Sequence, residues 1–258
     1  MFETITSRNN PRIKLVSKLF SSSRTRTENG LFAVEGLRLC LDAVRSGIAP
    51  CEVYFTQSFK DKHPDELQEL TAASNSSFLT DEHIFDKISD TVSPQGVVCV
   101  LPMMKNQIQL KLGGKYVALC NVADPANLGA VSRTAEALGI DGMLVCGGCD
   151  MYNPKALRAS MGALFRICAV SVSEDEMFEL FRANNIKTFA STPRTTATPL
   201  KDCDFSSACA VLVGNEANGL SDEVIAKCDE TVTIPMEGRA ESLNASVAAA
   251  ILMYEIKR

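Results

Sequence analysis

The sequence predicts an α/β protein in two parts, a small α/β domain followed by a larger, mostly parallel sheet. Three observations carry that prediction. Short apolar runs alternate with amphipathic stretches along all 258 residues, the signature of strands and helices alternating in one layered structure. In the second half, apolar runs end in loops rich in Gly, Asn and Ser that open helices, the arrangement with which open parallel sheets hold ligands. A composition of 46% apolar and 22% charged residues suffices to bury a core.

Residues 1–102 form the first domain. Helices are expected at 12–20, 36–45, 64–73 and 81–88, with strands at 31–34, 53–55, 78–79 and 97–101 in a parallel or mixed sheet. Ser21, Ser22 and Ser23, followed by basic residues to Arg26, read as an exposed loop. Residues 103–115 lack periodicity, contain Gly113-Gly114 and read as a linker.

Residues 116–258 form the second domain. Six strands are expected, at 116–121, 142–146, 167–171, 187–190, 208–213 and 231–234, with helices between most of them and a closing helix at 242–256. Within 124–139, Asp124 is placed to cap a helix, Pro125 suits its first position and Gly139 its end. Leu128, Val131, Ala135 and Leu138 form a stripe at helical spacing that should face the sheet. Arg133 lies roughly 140° around from Leu128 and projects away; taken alone, it reads as a surface ion-pair partner.

Net charge is −5, yet residues 1–50 carry eight Arg and Lys against four Asp and Glu. A localised basic face is the electrostatic footprint of a polyanion, although a solvated charged helix gives the same count. No apolar run reaches membrane-spanning length, and the N-terminus lacks a signal-peptide pattern, so a cytoplasmic location is expected, with no membrane partner. Of ten cysteines, Cys40, Cys99, Cys120, Cys168 and Cys209 sit in apolar patterns as small hydrophobes. The close pair Cys146-Gly-Gly-Cys149 has no second pair, and the two histidines, His63 and His83, are far away in sequence. No metal site is expected.

Three segments carry the chemistry. The first is the 124–139 helix with its preceding loop. The second is the loop Gly214-Asn215-Glu216-Ala217-Asn218-Gly219 after an apolar strand, where glycines let backbone approach a ligand and Glu216 offers a carboxylate; a tight structural turn reads as well. The third is Ile234-Pro235-Met236 followed by Ser242-Leu243-Asn244, where Ser242 is also a candidate cap for the last helix.

In this order the segments DPANLGAVSRTAEALG, VGNEANGL and IPMEGRAESLNASVAAAI resemble the TrmH (SpoU) family of RNA ribose 2′-O-methyltransferases, in the SPOUT superfamily. The resemblance covers about residues 115–258 and includes Arg158-Ala-Ser-Met-Gly162-Ala. The first half resembles the family's L30e-like substrate-binding domain, less specifically, through FAVEG (32–36) and SPQGVV (93–98).

The resemblance implies a C-terminal trefoil knot, an exception to the rule against knotted chains, and S-adenosylmethionine bound within it. Ser191, Thr192, Gly214, Ile234, Met236 and Leu243 are its implied cofactor-binding residues. Asn127, Arg133, Glu216, Ser242 and Asn244 fall on the family's functional positions. It further implies a homodimer acting on RNA, ribosomal RNA ahead of transfer RNA; the basic face of the first segment then makes Arg8, Arg12, Lys14 and Arg38 candidate RNA contacts. A non-catalytic RNA-binding module on the same fold is the alternative. A dinucleotide-dependent enzyme ranks far below, because no G-x-G-x-x-G follows a strand.

Overall fold

The computed structural model describes residues 2–104 and 108–258. Positions 105–107 of the expected linker lie outside the described residues. The chain divides into two compact units, Met1–Lys105 with Tyr152–Arg158, and Asn106–Met151 with Ala159–Arg258.

The first unit holds strands β1 (Glu3–Ile5), β2 (Leu31–Glu35), β3 (Glu52–Thr56), β4 (Ser76–Thr80) and β5 (Val97–Pro102). They form a mixed sheet in the order β1-β4-β3-β5-β2. β1, β4 and β3 run parallel, and β5 is antiparallel to β3 and β2. Helices α1 (Pro11–Ser21), α2 (Ser23–Asn29), α3 (Leu37–Arg45), α4 (Gln57–Lys62), α5 (Pro64–Ala72) and α6 (Glu82–Phe85) complete it. Its core joins Ile13, Val16 and Leu19 of α1 to Tyr54, Phe78 and Val98 of the sheet.

The segments FAVEG and SPQGVV meet at one end of this sheet. The buried Glu35 carboxylate accepts from Ser89 Oγ at 2.8 Å, Asp90 N–H at 2.6 Å and Thr91 Oγ1 at 2.7 Å. Gln95 Oε1 accepts from Leu37 N–H at 2.8 Å, supplying a partner that the first turn of α3 lacks.

Four details differ from the sequence reading. The expected loop 21–26 is largely helix: Ser22 caps α2 by accepting from Thr25 N–H at 3.1 Å, and Arg26 is buried, donating to Leu19 O at 2.7 Å. Serine favours loops because its hydroxyl competes for backbone, and that same property makes it an N-cap. The helix expected at 81–88 is confined to α6, and the edge strand β1 and the helix α4 escaped the pattern reading.

The second unit carries β6 (Lys115–Cys120), β7 (Gly142–Cys146), β8 (Ala169–Ser171), β9 (Lys187–Ser191), β10 (Thr198–Pro199), β11 (Cys209–Val213) and β12 (Glu230–Thr233). Their order is β10-β12-β9-β11-β6-β7-β8, with every described pairing parallel. Six strands were expected; the seventh, β10, is a two-residue edge too short to show a period. The helices are α7 (Pro125–Ala137), α8 (Pro154–Ser160, whose last two residues belong to this unit), α9 (Glu174–Ala183), α10 (Asp222–Lys227) and α11 (Ala245–Lys257).

The core on one side of the sheet packs Tyr116, Leu144 and Leu212 against Met177 and Phe181 of α9, and Ile108 and Leu110 join it, although sequence placed them in a linker. α11 packs on α7, β11 and β6. The strands at the centre are buried on both faces, as continuous apolar runs such as Cys209–Val213 require.

Leu212 is fully buried on β11. Leu212→Ala should lower the unit's stability by about 2–5 kcal/mol, read as a fall in urea midpoint; an unchanged midpoint would contradict this packing.

Candidate functional site

An all-parallel sheet delivers the carboxyl ends of its strands to one edge, which is where this unit gathers its polar loops. β6, β9, β11 and β12 end at Cys120, Ser191, Val213 and Thr233, so the segments 121–127, 191–194, 214–219 and 234–244 converge there.

A cavity of about 300 Å³ opens among them, at the lower end of the range for small-molecule sites, roughly 300–1,000 Å³. Ser191, Thr192, Gly214, Ile234, Met236 and Leu243 all line it, as do Glu216 and Ser242. Asn127, Arg133 and Asn244 lie outside its wall. Sequence reasoning missed Arg194 and Ile225, which also line it, together with Asn218 of the singled-out loop and its neighbour Leu220. Arg194 follows the named pair Ser191 and Thr192 by only two positions, a proximity that could have flagged it.

The 214–219 loop is closed on itself. Asn215 N–H donates to Gly219 O at 3.0 Å and Gly219 N–H returns to Asn215 O at 2.9 Å. Asn215 Oδ1 accepts from the N–H groups of Ala217 and Asn218 at 2.9 and 3.2 Å. A Cβ on Gly214 would overlap the backbone of Gly219 and Leu220, so glycine is the residue that lets the loop fold back and present backbone to the cavity.

Glu216 ties this loop to the start of α7. Its carboxylate accepts from Ala123 N–H and Asp124 N–H, both at 3.0 Å, and from Asn127 Nδ2 at 2.8 Å. Asn127 Oδ1 in turn accepts from Asn244 Nδ2 at 3.0 Å. Asn244 Oδ1 caps α11, accepting from the N–H groups of Ser246 and Val247 at 2.9 and 3.3 Å. Asn244, not Ser242, is therefore the cap, and α11 begins three residues later than expected. One chain of hydrogen bonds, Asn244 to Asn127 to Glu216, joins three segments separated in sequence by 117 and 89 positions.

Asp124 accepts from Ala126 N–H at 3.0 Å as the cap of α7, with Pro125 in its first turn. Arg133 is exposed, about 9 Å farther along the helix from Asn127 at 1.5 Å per residue, and engages no partner among the described residues. A guanidinium held on a rigid helix without an internal partner is available for an external anion.

The four candidate RNA contacts belong to the first unit. Arg8 donates through Nε and Nη2 to His83 O at 3.1 and 2.9 Å, and Arg12 pairs with Glu52 and lies 4.8 Å over the Phe78 ring. Both are committed to their own unit. Lys14 and Arg38 are exposed, with no ion pair among the described residues. Among the described residues, no group of three or more His, Cys, Asp and Glu could hold a metal ion.

Burial pushes the Glu216 carboxyl up, but the hydrogen bonds from Ala123, Asn127 and Asp124 outweigh it and hold it below the usual range. A lowered folded-state pKa contributes stability above the unfolded value, about 4.3 for Glu, and that stability is lost as pH falls through the folded value. Glu216→Gln should thus be less stable than wild type at pH 7, with the gap closing below about pH 4. Urea melts at pH 7 and pH 3 read it, and a gap independent of pH would contradict the role of the charge.

The model of the SpoU rRNA Methylase family matches residues 114–254, and that of the MRM3-like substrate binding domain matches residues 10–99. The chain is 31% identical over 261 residues to an uncharacterized tRNA/rRNA methyltransferase of Synechocystis, covering 99% of this chain and 93% of that one. It is 30% identical over 254 residues to a 23S rRNA (guanosine(2553)-2′-O)-methyltransferase of Bacillus subtilis, covering 98% of each. The AdoMet-bound rRNA methyltransferase of Sinorhizobium meliloti superposes with a TM-score of 0.88 at 28% identity, over 99% of this chain and 97% of that one.

Proposed function

The chain belongs to the SpoU rRNA methylase family and is an S-adenosylmethionine-dependent RNA ribose 2′-O-methyltransferase; we propose that its substrate is ribosomal RNA and assign its residues as follows. The observation that carries the assignment is the cavity at the sheet's carboxyl edge, walled by Gly214, Ile234 and Leu243 and tied through Glu216 to the helix bearing Arg133.

The cavity suits the methyl donor. Gly214 brings backbone to its wall where a side chain would collide with the loop, and Ile234, Met236 and Leu243 with Ser191 and Thr192 give an apolar slot with short polar groups. When bound, S-adenosylmethionine supplies an activated methyl group on a sulfonium. The protein's task is then positioning a weakly acidic ribose hydroxyl in line and favouring the charge that develops on its oxygen.

Arg133 takes that task. Guanidinium stays protonated in proteins, so Arg133 acts as an electrostatic clamp on an RNA phosphate and on the developing 2′-oxyanion, and not as a base. Asn127 and Asn244 orient the ribose side of the site through their mutual hydrogen bond, and Ser242, just ahead of Asn244 in sequence, stands at the cavity wall. Glu216 is a positioning residue, because its oxygens are already committed to Ala123, Asp124 and Asn127.

Residues 1–102 bind the RNA and residues 116–258 carry the transfer, joined through 103–115. Lys14 and Arg38 are the free cations of the proposed RNA face, supported by Arg8 and Arg12 as framework. The enzyme acts as a homodimer. Val247, Ile251 and Tyr254 form an exposed apolar stripe on α11, whereas Ala245 and Ala249 are buried. The trefoil threading belongs to this reading, supported by the return of 234–244 to the cavity also lined by 191–194. Among the described residues no helix is long and apolar enough to cross a membrane, and the reading places the enzyme with its RNA in the cytoplasm.

Arg133→Ala should abolish methyl transfer, a loss of at least 10²-fold, while leaving S-adenosylmethionine affinity within about twofold, because Arg133 lies outside the cavity wall. Parallel loss of both would assign it a structural role. Lys14→Glu with Arg38→Glu should weaken RNA binding and lower the slope of log K against log salt by about two, near one per phosphate contact. An unchanged slope would move the RNA surface elsewhere.

A further inference from the structure

We propose that Arg194 is the carboxylate-recognition residue of the methyl-donor site, a role that rests on the reading above. S-adenosylmethionine has a neutral, aromatic end and a zwitterionic amino-acid end, and a cavity that holds the whole molecule must treat the two differently. Leu220, Ile225, Met236 and Leu243 supply apolar contact suited to a base. The charged side chains in the lining are Glu216 and Arg194. Glu216 is saturated by the donors from Ala123, Asp124 and Asn127, which leaves it little capacity for a ligand ammonium and restrains its repulsion of a ligand carboxylate. Arg194 is the cation among the described lining residues.

Its present partner is exchangeable. Arg194 Nη2 meets Asp222 Oδ1 at 2.5 Å, and the two side chains are 54% and 80% exposed. Exposed ion pairs of this kind add little stability and re-form readily. Asp222 holds the guanidinium through one nitrogen, a poorer match than the two parallel bonds by which the fork can grip a ligand carboxylate. Asp222 loses little when released, since it stands in the first turn of α10, where a negative charge is favoured and Ser221 already provides the cap. Arg194 therefore exchanges Asp222 for the α-carboxylate of the bound donor. The backbone places it there: Thr192, at the cavity wall, accepts from Arg194 N–H at 3.4 Å, and Ala197 N–H closes the turn on Arg194 O at 3.1 Å.

Isothermal titration of the full chain with two ligands tests this. One is S-adenosylmethionine, and the other is 5′-methylthioadenosine, which keeps the adenosine and the methyl-bearing sulfur, now a neutral thioether, but lacks the amino-acid end. Arg194→Ala should weaken S-adenosylmethionine by roughly 10- to 100-fold, the range for a hydrogen-bonded charge, and leave 5′-methylthioadenosine within twofold. Arg194→Lys should fall between, because the point charge survives without the fork. Asp222→Asn should bind S-adenosylmethionine as well as wild type or more tightly. Equal weakening of both ligands, or no weakening of either, overturns the assignment while leaving the methyl-transfer reading intact. Loss confined to RNA affinity gives Arg194 to a phosphate and also overturns it. Wild-type protein that binds neither ligand would overturn the methyl-transfer reading itself.

Discussion

The carboxylate of Glu216 is the constraint on which the rest of the site depends. It reaches from the loop after β11 to two backbone N–H groups ahead of α7 and to the Asn127 amide. Those N–H groups lie at a helix entrance, where donors lack intrahelical partners and a negative charge is favoured. The same contact therefore satisfies the helix, closes one wall of the cavity and sets the start of the helix that presents Arg133. Asn244 extends it to α11 through Asn127, so both helices that flank the site are registered against one loop.

The sheet makes this possible. Because β9, β11, β6 and β12 are parallel, segments distant in sequence leave the sheet on the same side, and three or four short loops can share one cavity without any of them being long. Apolar packing of α11 on α7, β11 and β6 then supplies the rigidity on which hydrogen-bond geometry depends. A loop such as 214–219, which has few side chains to bury, relies instead on its internal bonds and on the absence of a Cβ at Gly214.

Much of this was visible in the sequence, for physical reasons that also explain what was hidden. Asp124, Pro125 and Gly139 punctuate α7 by local rules of capping and φ, and local rules are readable from one chain. The choice of Asn244 over Ser242 as the cap of α11 was not, since both side chains can cap and the decision is made by Asn127, 117 positions away. Arg26 looked like a loop residue because nothing nearby shows that Leu19 O would receive it. The pairing of Arg194 with Asp222 spans 28 positions and follows no periodicity. β10 exists only as a partner for β12. The resemblance, carried by DPANLG, GNEANG and ESLN, named which residues to watch; the geometry separated those that line the cavity from those that brace it.

The chemistry that this arrangement supports is specific to one oxygen. A ribose bearing a 2′-O-methyl group can no longer supply the hydroxyl that attacks its neighbouring phosphate, so the bond on its 3′ side resists alkali. Incubating the protein with methyl-labelled S-adenosylmethionine and ribosomal RNA, then hydrolysing the RNA in alkali, tests the account most directly. Label recovered in alkali-resistant dinucleotides is the predicted result. Label in mononucleotides, which marks methylation of a base, or RNA that acquires no label, would contradict it.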